Sequence, residues 1–199
     1  MQWTYALSRK FSDLWGPIAD CYDRLKSAND AGADIYVLVQ ASDGQGRKDA
    51  NIESGRAVFI DVDYPALFHG LPFEPTFEVR SKAGPHFYAC KAPESSAWSI
   101  DETTQALKAA AVAAGTDPAV ATDARIMRVP GFFHCKDPAN KVMVQLYVPT
   151  GKPTTYDALA DIGLPVMTAE SLVSYRDWYT LSQVMARQIP AVKIAFLCH

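Results

Sequence analysis

Two aspartates one residue apart close a hydrophobic run, Val58-Phe59-Ile60-Asp61-Val62-Asp63. If the run is a β-strand, both carboxylates leave the same face, about 6.6 Å apart along the backbone. Two carboxylates so placed repel each other unless a cation lies between them. Hard oxygen donors suit Mg2+ or Mn2+, and these ions also bind phosphate oxygens. The pair therefore suggests metal-dependent phosphate chemistry. A strand end with two solvated acids has the same pattern, and Asp-x-Asp alone does not separate the two.

Two further segments carry chemistry. In Ser81-Lys82-Ala83-Gly84-Pro85-His86 a hydroxyl and an imidazole flank a tight Gly-Pro turn. With exposed backbone N–H groups they can hold a phosphate, or form an ordinary hairpin with a surface histidine. In Asp123-Ala124-Arg125-Ile126-Met127-Arg128-Val129-Pro130-Gly131-Phe132-Phe133-His134-Cys135-Lys136 an acid precedes two arginines, a Pro-Gly bend, a histidine and a lysine. Arginine offers planar forked donors to phosphate, and lysine a point charge. A third carboxylate, Asp123, would complete a site for two metals about 3.5–4 Å apart, suited to in-line phosphoryl displacement. The plainer readings stay open: Asp123 caps a short helix, Phe132 and Phe133 are core, and His134 is structural.

Elements must position these residues. Phe11 to Lys26 has helical periodicity, with Leu14, Ile18, Cys21, Tyr22 and Leu25 on one face, and Asn29 to Gly32 ends it. Ile35 to Val39 predicts a buried strand, and Arg56 to Asp63 a second. The polar stretch Ser42 to Asp49 has two glycines but no helix directly after it, a poor match to a phosphate-binding loop. Thr76 to Arg80 and His86 to Cys90 predict a hairpin. Thr103 to Ala114 predicts an alanine-rich helix stopped by Gly115, and Asp117 to Asp123 a short helix or turn. Arg125 to Pro149 holds two extended runs, with Met143 to Val148 the clearer strand. Tyr156 to Asp161 and Glu170 to Gln188 predict helices. The order implies an α+β fold with a mostly antiparallel sheet. A boundary falls near Pro149 to Pro153, between a core over 1–150 and a helical extension over 151–199.

Composition bounds the function. A chain of 199 residues, 49% hydrophobic, makes one substantial core or two closely packed lobes. No apolar run approaches the roughly 20 residues that cross a bilayer, and the first residues lack a signal peptide's basic region and apolar core. The four cysteines are scattered without a Cys-x-x-Cys pair, which argues against structural zinc and for reduced thiols in a cytosol. A net charge of −3 excludes bulk electrostatic coating of nucleic acid. Binding would need a local basic surface, such as 125–152, where Arg125, Arg128, Lys136, Lys141 and Lys152 face one acid, Asp137.

The three segments together resemble the catalytic core of archaeo-eukaryotic-type primases, in the RepB-like branch of plasmid and phage replication primases. That family has a strand ending in two acids, a Ser/His nucleotide-binding hairpin, and a third acid ahead of an R-x-x-R-x-P-G bend and a lysine. The run Asp43-Gly44-Gln45-Gly46-Arg47-Lys48 also resembles this branch, and the resemblance extends over 35–148. The gap from Ser81 to His86 is longer than the family's compact S-x-H, His134 stands where many relatives have Asn, and no helicase segment follows.

The resemblance implies a DNA primase or primase-polymerase: metal-dependent, template-directed nucleotidyl transfer on single-stranded DNA. It implies an RRM-like catalytic sheet packed with a small N-terminal α/β unit. Asp61, Asp63 and Asp123 would be catalytic and hold two Mg2+ or Mn2+ ions. Ser81, His86, Arg128 and Lys136 would bind the nucleoside triphosphate. Arg47, Lys48, Arg125 and His134 are further candidate contacts to nucleotide or template, with Arg125 alternatively supporting the sheet or pairing with Asp123. Partners would be a single-stranded template, nucleoside triphosphates and a separate replicative helicase. The setting would be the cytoplasm of a bacterial or archaeal host of a mobile element. Two rivals follow from the same residues. One is another D-x-D phosphotransferase or phosphatase, although Tyr64-Pro65 replaces the threonine such phosphatases carry. The other is a non-catalytic module that binds origin DNA.

Overall fold

The computed structural model describes residues 2–7, 10–63, 65–91 and 98–147. The boundary near Pro149, the extension over 151–199 and its two helices lie outside them.

Two four-stranded antiparallel sheets, each backed by one helix, make up the architecture. In the first, β1 (Gln2–Leu7) and β2 (Lys10–Trp15) form a hairpin. β3 (Asp34–Leu38) pairs with β1, and β9 (Ile126–Arg128) with β3, giving the order β2-β1-β3-β9. Helix α1 (Ile18–Asp30) covers this sheet through Cys21 and Leu25, which meet Leu14, Ile35, Val129 and Phe132. The helix expected from Phe11 is therefore a strand up to Trp15. Gly16, at φ +131°, and Pro17 break the chain before the helix starts. Leu14 shares the core of Cys21 and Leu25, so a strand residue and two helical ones mimic one helical face.

The second sheet runs β12-β7-β8-β6, from β6 (Ala57–Asp61), β7 (Phe77–Arg80), β8 (Pro85–Cys90) and β12 (Gln145–Tyr147). The hairpin of β7 and β8 agrees with the sequence expectation. Helix α2 (Ile100–Ala114) lays Ala106, Leu107, Ala110, Ala111 and Ala114 into the core with β6. Small side chains allow a close approach: a Cβ on Gly55 would sit 1.9 Å from Thr103 Oγ1. The helix starts three residues before the expected Thr103, because Ser99 and Glu102 form a capping box. It ends at Gly115, as expected, where φ is +72° and a Cβ would meet Leu67 O at 2.2 Å.

Short pieces complete the fold: β4 (Ala41–Ser42) with β5 (Ile52–Ser54), and β10 (Phe133–His134) with β11 (Val142–Met143). The strand expected from Met143 is interrupted at Val144, whose N–H donates to Phe132 O at 2.9 Å. Two buried amides hold the parts in register. Gln40 donates to Ala57 O at 2.8 Å and accepts from Arg56 N at 2.7 Å, tying the end of β3 to the start of β6. Asn29 exchanges two 2.8 Å bonds with the Phe133 backbone, fixing the segment after the Pro-Gly bend against α1. Cys21, Cys90 and Cys135 are buried outside any disulfide.

Candidate active site

The ends of β6 and β8 define one wall of a cavity of about 280 Å3, and β3 and β9 the other. Asp61 is the last residue of β6 and stands opposite His86 in the register with β8. Directly opposed residues of an antiparallel pair share a face, and His86 Nε2 lies 3.4 Å from Asp61 Oδ1. Val62 turns inward, buried at 1% exposure, and Asp63 follows it, exposed, on the cavity lining with Asp61. Gly84 sets the turn against this strand end. A Cβ there would lie 2.1 Å from Val62 O, and Val62 N–H donates to Pro85 O at 3.1 Å.

The other wall supplies cations. Arg125, just before β9, donates to Asp61 Oδ2 at 3.1 Å. Arg128 donates to the Tyr36 hydroxyl at 3.3 Å, and its Nε lies 3.6 Å from Asp34 Oδ1. That Asp34 oxygen also accepts from Cys135 N, so Asp34 fixes both the arginine and the segment beyond the bend. Gly131, at φ +86°, makes that bend after Pro130. Tyr36 and Phe11 add aromatic surface, and Arg47 lies over the Phe11 ring, 4.8 Å from its centroid.

Burial governs the ionisable groups here. It pushes His86 below the usual histidine range, more strongly than the Asp61 carboxylate raises it. The imidazole is thus neutral near pH 7, and its Nδ1 is buried without a partner. Burial likewise pushes the Tyr36 hydroxyl up, with Arg128 opposing.

The structure brings together Asp61, Asp63, His86, Arg125 and Arg128. It does not bring in Asp123. That carboxylate is buried and accepts a hydrogen bond from Thr104 on α2. Burial pushes its acidity weaker, and the charges it senses are Asp49 and Lys108, away from the cavity lining. Among the described residues, no three His, Cys, Asp or Glu side chains group to hold a metal, so the expected trio is not assembled. Arg125 pairs with Asp61, not with Asp123. Ser81 is spent on its turn, donating to Gly84 O and accepting from Ala83 N, each at 3.2 Å. His134 is buried with neither ring nitrogen partnered, and burial, then Arg128, lower its pKa. Lys136 is exposed beside it, and Lys48 is exposed on its loop. Of the two phenylalanines, Phe132 is core and Phe133 is 39% exposed.

Sequence reasoning missed Tyr36, Phe11 and Asp34. Strand alternation opposite buried Ile35 would have turned Tyr36 and Asp34 to the other face.

No protein-family model and no curated protein matches the chain. Solved structures do. The chain is similar to the AEP domain of the cyanophage S-2L primase-polymerase, with TM-score 0.61 and 21% identity over 82% of this chain and 88% of that one. It is similar to primase RepB′, with TM-score 0.60 and 20% identity, covering 80% of this chain and 55% of that chain. The catalytic domain of RepB′ in complex with initiator DNA gives TM-score 0.58 and 21% identity over 80% and 84%. The chain shares the fold of these primase and primase-polymerase domains.

Proposed function

We propose that this chain is a primase-type nucleotidyl transferase that joins nucleoside triphosphates on a single-stranded DNA template. The observation that carries the reading is one cavity, in a primase-like fold, lined by Asp61, Asp63, His86, Arg125 and Arg128. On this reading the sheet β12-β7-β8-β6 with α2 is the RRM-like catalytic part, packed with the N-terminal unit.

The carboxylates fit a divalent ion, in a simpler form than a three-acid, two-metal site. Mg2+ is commonly held by one or two carboxylates, with substrate phosphates and water completing its shell. Asp61 and Asp63 would hold Mg2+ or Mn2+ in this way, and two acids on one cavity are the donor set it needs. Bound there, the ion would supply Lewis-acid stabilisation of phosphate charge and lower the pKa of the attacking 3′-hydroxyl. Arg125 and Arg128 would orient the triphosphate through forked, charge-assisted bonds. Neutral His86 would bond a phosphate or sugar oxygen without adding charge, since its Nδ1 has no protein partner. Lys136, exposed beside His134, would raise the local positive potential where the triphosphate enters, and His134, held neutral by burial, would offer it a hydrogen bond. Ser81 would act by shaping the hairpin that carries His86. Arg47 and Lys48 would meet template or primer phosphates, Arg47 from beside Phe11.

Asp123 stands outside this proposal as a buried support of α2. A separate helicase and a cytoplasmic, mobile-element setting complete the reading. Among the described residues, no helix is long and apolar enough to cross a membrane. Incubation with single-stranded DNA, labelled nucleotides and Mg2+ or Mn2+ tests the reading, with products sized on a gel. Labelled oligomers that vanish with chelator support it. Chelator-insensitive DNA binding without incorporation favours a non-catalytic module, and hydrolysis of small phosphoesters favours a phosphatase.

A further inference from the structure

Both oxygens of Asp61 already face a nitrogen: Oδ2 accepts from Arg125 at 3.1 Å, and Oδ1 lies 3.4 Å from His86 Nε2. The Asp61 side chain is only 8% exposed, so its charge needs compensation. Arg125 gives it, as the closer of the two nitrogens and the one hydrogen-bonded to the carboxylate. Its side chain is 34% exposed, and its Nε is buried without a hydrogen-bond partner. The guanidinium is thus anchored at one end, with donors to spare. Arg128, in the same cavity, is instead engaged by Tyr36 and Asp34.

We propose that Arg125 is a displaceable internal counterion of Asp61, which makes binding of the divalent cation and binding of the triphosphate mutually dependent. The inference rests on the metal-dependent reading above and deepens it. Without nucleotide, Arg125 neutralises Asp61 and occupies the oxygen a cation would take. A cation arriving alone must dislodge a guanidinium that then has no anion to bond. A triphosphate supplies that anion, in the planar geometry a guanidinium prefers. Arg125 therefore moves from Asp61 to phosphate at little cost only when both arrive. Coupling of this kind is reciprocal, and sites so linked commonly change each other's affinity by about 5–150-fold.

The test is Mn2+ titration of the whole chain without nucleotide, with free Mn2+ read by electron paramagnetic resonance. Arg125→Gln should bind Mn2+ about tenfold more tightly than wild type, within that coupling range. Its affinity for nucleoside triphosphate in EDTA should fall by a comparable factor. Arg128→Gln removes the same charge from the same cavity and should not tighten Mn2+. Arg125→Met, which keeps the aliphatic stem, gives the same reading if Arg125→Gln does not fold. Unchanged or weaker Mn2+ binding in both Arg125 variants overturns the proposal, as does equal tightening by Arg128→Gln. Asp63→Asn separates the two levels. If it loses Mn2+ while the Arg125 variants match wild type, the metal site stands and the counterion role falls. If Asp63→Asn binds Mn2+ as wild type does, both fall.

Discussion

Gly84→Ala should damage the site by forcing the hairpin away from the strand end that carries the two acids. The new Cβ would lie 2.1 Å from Val62 O, well inside the 3.4 Å at which ordinary contact begins. Neither atom is a flexible side-chain end, so backbone must move. Overpacking of this kind costs about 1–3 kcal/mol. Losing the bond from Val62 N–H to Pro85 O adds about 1 kcal/mol. The sum, about 2–4 kcal/mol, lowers the melting temperature of a domain this size by roughly 5–15 °C. Val62 lies between Asp61 and Asp63, and His86 lies two residues beyond Gly84. The same shift therefore separates His86 from Asp61, and a displacement near 1 Å in such a site can cost about 100-fold in rate. Gly131→Ala is the control. It shares a positive φ, +86°, but meets open space, so it should cost only the left-handed strain, about 1–2 kcal/mol. Thermal melts and single-nucleotide incorporation read both effects. A Gly84→Ala protein that melts no lower than Gly131→Ala refutes the argument.

Gln40→Leu strips three buried hydrogen bonds from the junction of β3 and β6 and should cost about 2–4 kcal/mol in denaturant unfolding; a loss under about 1 kcal/mol would contradict that role. Asp123→Asn keeps an acceptor for Thr104 and should leave Mn2+ affinity unchanged. Because burial raises the pKa of Asp123, its stabilising contribution is present below pH 3.8 and lost as pH rises through the folded value. The melting difference between Asp123→Asn and wild type should therefore grow more positive from pH 3.5 to pH 7. For His134 the sign is opposite: its pKa is lowered, so its contribution is present above pH 6.5 and lost as pH falls through the folded value. His134→Asn should flatten the decline in melting temperature on acidification below pH 6.5, and an unchanged slope would exclude the buried imidazole as its source.

Much of the sheet carrying the acids was legible because its signals are local. Val58 to Ile60 is a continuous apolar run, and Gly84-Pro85 and Gly115 punctuate the turn and the helix end. The first helix was misjudged because Leu14 of β2 packs where a helical residue would. Periodicity responds to burial and does not distinguish the elements that supply it. Breaks at Gly16-Pro17 were the available signal. Within the site, cross-strand register brings Asp61 and His86 together, and the other sheet adds Arg128 from β9; motif order in the chain had grouped the three. Asp123 failed because a buried carboxylate takes the nearest donor, Thr104 on α2, and nothing local reveals that helix beside it. The Asp61–Arg125 pair escaped for a related reason: it spans the two sheets, and sequence spacing carries no information on which side of β9 an arginine leaves.

The central claim is that Asp61 and Asp63 form the metal-dependent heart of a nucleotidyl transferase. It is tested most directly by primer synthesis on single-stranded DNA with Mg2+ or Mn2+, comparing wild type with an Asp61→Ala protein whose circular dichroism matches it. The account predicts chelator-sensitive oligomers from wild type and none from Asp61→Ala. Full-length primer synthesis by the folded Asp61→Ala protein would contradict it.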